Sequence, residues 1–214
     1  MTRPRPKDLA LVSFDLDGTL VHPAIFNVVA DALGFGAPLL ESYRRYVAGE
    51  MTLEEAFHHD FAYFVGREVA PMREALAKSD AWTPGIVGAV ERLHEAGLGV
   101  IVTTDQPRFL AEHTLDFGVD HVVCTDAAVR HGRVTADAHP AFDKWANLAR
   151  YLAAKRIDPA RVVHVGNGTN DIPVFERVGW AVAVSWLAPV VRERADAGIE
   201  KPLDLGEVAD LVLG

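Results

Sequence analysis

Apolar residues along this chain follow two patterns in alternation. Short, nearly unbroken apolar runs occur at residues 9–14, 98–102, 161–165 and 180–184, with a weaker one at 121–124. Runs of this kind, ended by polar or glycine-containing turns, are what strands buried on both faces require. Between them, apolar positions recur at helical spacing over 84–96, 107–117, 142–155 and 171–178. Thr83 stands as an N-cap ahead of Pro84. The alternation predicts an α/β fold: a doubly wound parallel sheet with helices on both faces and right-handed crossovers.

Residues 22–81 break the alternation, because they read as amphipathic helices over 23–33, 38–47, 52–65 and 68–78. Thr52-Leu53-Glu54-Glu55 carries a capping-box signature, with Glu55 placed to answer Thr52. The expected organisation is a core domain from 8–22 and 82–214, with a small all-helical domain, 23–81, inserted after the first strand. Val129 and Val134, flanking His131-Gly132, predict a small hairpin.

In sheets of this kind, ligands bind beyond the carboxyl ends of the strands. Three polar clusters follow predicted strands: Asp15 with Asp17, Thr103-Thr104-Asp105, and Asn167 with Asn170 and Asp171. A carboxylate at such a place can attack phosphorus to give an acyl phosphate, which splits one difficult displacement into two easier ones. A second carboxyl two residues on can protonate a departing alkoxide and then take a proton from water. Asp-x-Asp-Gly also makes ordinary tight turns, so its weight comes from its position and its companions.

Those companions form an ordered set. Asp15-Leu16-Asp17-Gly18-Thr19 follows the first strand, Thr103 ends the next, Lys144 opens the helix over 142–155, and Gly166-Asn167-Gly168-Thr169-Asn170-Asp171 follows the strand at 161–165. In this order the four resemble the motifs of the haloacid dehalogenase superfamily: DxDGT, a Thr or Ser, a Lys, and GDGxND. The resemblance implies a phosphomonoesterase with Asp15 as nucleophile, Asp17 as acid and base, and Thr103, Thr104 and Lys144 as phosphate contacts. It further implies Mg2+ held by Asp15, the backbone carbonyl of Asp17, Asn167 and Asp171.

Two positions depart from that pattern. Asn167 stands where the family has Asp, so magnesium is expected to bind more weakly. Thr104 and Asp105 stand where phosphoserine phosphatase-like members have two glycines, which puts a carboxylate beside the expected phosphate. The helical insertion resembles the cap of those members. Their amino-acid-recognising Glu and Arg fall at Ala24 and Asp60 here, so the implied substrate is a small phosphorylated metabolite other than phosphoserine. Transfer to an acceptor alcohol, or ligand binding with little turnover, are the alternative readings.

Composition narrows the partners. A formal net charge of -9 opposes polyanion binding, so nucleic acid is not expected. Cys124 is the single cysteine, which excludes an intrachain disulfide and a thiolate zinc site and suits a reducing cytoplasm. No apolar run is long enough for a membrane span, and a monomer or homodimer is expected. His58, His59 and Asp60 are neighbours on one predicted helix and point in diverging directions, so they form no metal site. His164, inside an apolar strand, reads as a satisfied core histidine, and the four tryptophans read as core or core-edge residues.

Overall fold

Alternation within each buried strand decides which layer it packs against. The computed structural model describes residues 3–140, 142–200 and 203–214. The chain begins with β1 (Leu11–Phe14), followed by α1 (Ile25–Ala32), α2 (Gly36–Val47), α3 (Leu53–Ala62) and α4 (Val69–Ala77). Next come α5 (Ile86–Glu95), β2 (Gly99–Pro107), α6 (Arg108–Ala111), β3 (His121–Arg130), β4 (Arg133–His139) and α7 (Lys144–Lys155). The remainder is β5 (Val162–Gly166), α8 (Ile172–Phe175), β6 (Trp180–Val184), α9 (Pro189–Arg194), β7 (Ala197–Ile199) and α10 (Leu205–Leu213).

The strands form one sheet in the order β4-β3-β2-β1-β5-β6-β7. All neighbours are parallel except β3 and β4, which pair antiparallel. On one face Val12, Phe14, Val100, Val102, Val163 and Val165 join a large cluster with α5, α10 and the helical insertion. On the other, Leu11, Ile101 and Val162 pack against Leu148 and Leu152 of α7 and Val174 of α8. Strands covered on both faces cannot alternate apolar with polar, which is why they read as continuous apolar runs.

The insertion buries Phe26, Leu39, Phe57, Phe61, Phe64, Met72 and Leu76 in the same cluster as the sheet, so its apolar interior is continuous with the core. Phe26 stacks on Phe64 at 4.7 Å between ring centroids. α3 begins with the expected capping box: Thr52 Oγ1 accepts from Glu55 N at 3.2 Å, and Glu55 Oε2 accepts from Thr52 N at 2.8 Å.

Several boundaries differ from the sequence expectations. Thr83 does not cap the following helix; the N-cap is Gly85, in a left-handed conformation with φ 80°, while the Thr83 hydroxyl donates to the Thr19 carbonyl at 2.6 Å. The helix expected over 107–117 shortens to α6 plus a 3-10 turn, because β2 runs on to Pro107. The edge elements α9, β7 and α10 carry too short or too mixed a pattern to be read from periodicity. No helix among the described residues is long and apolar enough to cross a membrane.

Replacing Thr52 with Ala removes one half of the capping box at an exposed helix start. The expected loss is about 1 kcal/mol of unfolding free energy, read from urea denaturation as a lower midpoint with an unchanged slope.

Candidate active site

On the α7 face, the residues one step past the apolar positions are polar. Ser13 lies in register with Ile101 of β2 and with His164 of β5. Ser13, Thr103 and His164 are buried, with no more than 1% of each exposed. Buried polar groups must find partners, and these find each other. Ser13 Oγ lies 2.8 Å from Thr103 Oγ1 and 3.1 Å from His164 Nδ1, and His164 Nε2 lies 3.0 Å from Asp171 Oδ1.

The direction of these bonds follows from chemistry. Burial holds the His164 imidazole below its usual pKa against the pull of Asp171, so the ring is neutral. The Asp171 carboxylate only accepts, so the ring proton sits on Nε2 and Nδ1 accepts from Ser13. The Thr103 hydroxyl then donates to Ser13. Its proton is spent inward, and Thr103 does not line the cavity described below; Thr104, the next residue, does. Of the two threonines expected to meet phosphate, the side chain in place is that of Thr104.

α7 brings its first residue, Lys144, under this edge. Asp143 caps the helix by accepting from Ala146 N at 2.9 Å. Lys144 Nζ, 2% exposed as a residue, donates to Asp15 Oδ1 at 2.7 Å and to Asp171 Oδ1 at 2.6 Å. Burial works against the ammonium, but Asp15 and Asp171, joined by Asp105, outweigh it and hold the lysine charged above its ordinary range. Burial likewise opposes ionisation of Asp171, yet Lys144 and His164 keep its carboxyl well below the usual range. Asp15 differs: burial and the neighbouring Asp171 push its carboxyl well above the usual range despite Lys144.

Asp171, expected on the metal side, does not line the cavity and receives four hydrogen bonds. Its Oδ1 receives Lys144 and His164, and its Oδ2 receives the Asn167 and Gly168 backbone N–H groups, each at 2.9 Å. Two donors on each oxygen use its accepting capacity. Asp171 therefore folds the loop that presents Asn167 and anchors Lys144. Lys144, in turn, grips Asp15 from behind and does not line the cavity.

The cavity lies beyond the carboxyl ends of β1, β2 and β5, roofed by α1, α2 and α3. Its floor includes Asp15, Asp17, Thr104, Asp105 and Asn167, and its roof includes Ala24, Asn27, Tyr43, Tyr46, Phe57 and Asp60. Asp17 Oδ1 accepts from Ile25 N at 2.7 Å, and Oδ2 accepts from Gln106 Nε2. Burial raises its carboxyl to about 6, against the pull of those two donors. Asp105 Oδ2 accepts from Asn170 Nδ2 at 2.9 Å.

A magnesium ion suits this floor. No described residue donates to Asp15 Oδ2, and the Asn167 amide offers a hard oxygen. Burial, with Asp171 beside it, raises the Asp15 carboxyl despite Lys144, and a cation at the free oxygen would offset both. Gly18 is required here. It has φ 74°, and a Cβ on it would collide with the Asn167 side-chain amide, so only glycine lets the two loops close.

Sequence reading missed Ser13, Gln106, Tyr43 and Tyr46. A lone hydroxyl in a buried strand marks Ser13, and the three-residue spacing of Tyr43 and Tyr46 on a helix marks a shared face. Gln106 left no signal, because β2 was expected to end before it.

The site and sheet define a class, and comparison confirms it. Residues 12–176 match the haloacid dehalogenase-like hydrolase family, and the chain belongs to that family. It is 27% identical over 213 residues to a phosphoserine phosphatase of a Polaromonas species, covering 92% of this chain and 90% of that one. It is 23% identical to the phosphoserine phosphatase of Methanocaldococcus jannaschii, over 94% of this chain and 97% of that one. A substrate-bound phosphoserine phosphatase structure superposes with a TM-score of 0.81 at 22% identity, covering 97% of this chain and all (100%) of the other.

Asp17 supplies a test of the electrostatics. Its folded pKa of about 6 lies above the ordinary carboxyl value of 3.8, so folding disfavours the charged form. The cost is absent below the unfolded pKa, grows as pH rises through the folded one, and is then complete. Asp17→Asn should match the wild type in stability at pH 4 and exceed it at pH 8 by about 2 kcal/mol, short of the full shift because the residue is partly open to water. Thermal melts in chelator at both pH values check this.

Proposed function

We propose that this chain is a magnesium-dependent phosphomonoesterase that works through an aspartyl-phosphate on Asp15, with the helices of residues 23–81 as a cap over the site. The observation that carries the reading is the pair Asp15 and Asp17 in one cavity, with environments that suit different roles. Asp15 is gripped from behind by Lys144 through Oδ1, with Oδ2 undonated. Asp17 is held by Ile25 N and Gln106, with a carboxyl near 6 that exchanges protons close to neutrality.

In the first half-reaction an Asp15 oxygen attacks phosphorus, the bond from phosphorus to the ester oxygen breaks, and Asp17 gives its proton to the departing alkoxide. In the second, Asp17 takes a proton from water as that water attacks phosphorus. The bond to Asp15 breaks and phosphate leaves. Asp15, the Asp17 carbonyl and the Asn167 amide would hold magnesium, which when bound supplies positive charge to the phosphoryl oxygens. Lys144 keeps Asp15 oriented, and the Thr104 hydroxyl, which lines the cavity, would donate to a phosphoryl oxygen. The roof excludes water from the intermediate and contacts the leaving group. The relatives' names make phosphoserine one candidate ester. Resolution by water rather than by an acceptor alcohol agrees with those names.

Release of phosphate from para-nitrophenyl phosphate and from an alkyl phosphate tests the roles. Asp15→Asn should abolish both. Asp17→Asn should slow the alkyl ester by about 10²–10⁴-fold and the nitrophenyl ester far less, since nitrophenolate leaves without a proton. Equal losses on the two esters would remove Asp17 from the acid's role.

A further inference from the structure

The chemistry of the roof says what kind of alcohol the phosphate is attached to. Four carboxyl groups, those of Asp15, Asp17, Asp60 and Asp105, line the cavity, and among the described residues no Lys, Arg or His lines it. Lys144 is already shared between Asp15 and Asp171. Asp60 is 7% exposed and its Oδ1 lies 2.8 Å from His59 Nδ1. Ser42 also hydrogen-bonds this carboxyl, which still lines the cavity from the roof, while Asp15 and Asp17 are committed to the phosphoryl end.

A second observation is independent of charge. Asp105 Oδ1 and Gln106 Oε1 are buried acceptors without a partner among the described residues, both in residues that line this cavity, and Asp105 is 6% exposed. Buried acceptors left unpaired are costly, and what satisfies them must bring N–H or O–H donors. A primary ammonium brings three donors and a positive charge; a carboxylate brings only acceptors and a negative charge. Asn27 Nδ2, a fully buried donor in the lining without a partner among the described residues, is a neutral amide and cannot offset four acids. Tyr43 and Tyr46 add aromatic faces to the same cavity, and these favour a cation over an anion. The tyrosine hydroxyls stay protonated: burial, aided by nearby Asp17, raises that of Tyr43, and burial pushes that of Tyr46 up to about 12.

We propose that the cavity selects phosphate monoesters of small amino alcohols, whose primary ammonium is received by Asp60 and the unpaired acceptors at Asp105 and Gln106, and disfavours esters that carry a carboxylate. The proposal rests on the phosphatase reading and narrows it. It separates phosphoethanolamine from phosphoserine, which differ only in the carboxylate.

The test is kcat/KM with magnesium on phosphoethanolamine, phosphoserine, glycerol phosphate and phosphoglycolate, with para-nitrophenyl phosphate as the generic ester. Phosphoethanolamine should exceed each of the others by about tenfold or more, the scale of one unpaired buried group, and phosphoglycolate should be the poorest. In Asp60→Asn the ratio of phosphoethanolamine to glycerol phosphate should fall by about tenfold; should that variant not fold, the wild-type panel decides alone. Phosphoserine or phosphoglycolate matching or surpassing phosphoethanolamine, while the nitrophenyl ester is hydrolysed, overturns the proposal and leaves the phosphatase reading standing. If no ester is hydrolysed, the phosphatase reading fails. Calorimetric binding to Asp15→Asn then judges the cavity: tighter phosphoethanolamine than phosphoserine supports the selection, and the reverse order or no binding of either overturns it.

Discussion

The site is organised around one buried ammonium. Lys144 Nζ touches Asp15 and Asp171 at once, which places those two carboxylate oxygens no farther apart than the two hydrogen bonds reach. A lone buried lysine would shed its proton and two lone buried carboxylates would take one up. Together the lysine and Asp171 keep their charges, at the cost of desolvating all three groups, while the Asp15 carboxyl stays raised. Removing the lysine would strand two acids, so this interaction sustains both the loop after β5 and the placement of Asp15.

Each neighbour of the triad has a consequence for chemistry. Asp171 spends both oxygens on Lys144, His164 and the loop backbone, so it sets the geometry of the loop that presents Asn167. The chain from His164 through Ser13 to Thr103 extends the same order across three strands. It fixes the strand ends that carry Asp15 and Thr104. With acids on both the floor and the roof of the cavity, the proposed magnesium and the proposed ammonium of the substrate would each bring positive charge to one end.

The sheet was legible because strands buried on both faces have no choice but continuous apolar runs, and the capping box at Thr52 because its two bonds need those residue types. The order of Asp15, Lys144 and Asp171 was legible because their elements alternate strictly and end at one edge. Their division of labour was not. Whether Asp171 coordinates or anchors depends on four donors brought from Lys144, His164 and two backbone amides, which no spacing shows. Thr103 turns inward because Ser13, paired with His164 on the neighbouring strand, offers its hydroxyl a partner one strand away. Thr83 lost its capping role to Gly85, because its hydroxyl reaches the Thr19 carbonyl across the junction with the insertion.

The account stands on Asp15 as the atom that takes up phosphorus. Rapid acid quenching during turnover of a phosphate ester, followed by peptide mass spectrometry, tests it most directly. The phosphoryl group should be found on the peptide containing Asp15, at that residue, and should be released by hydroxylamine, as an acyl phosphate is. Steady turnover with the phosphoryl group on another side chain, or with none trapped at any quench time, would contradict it.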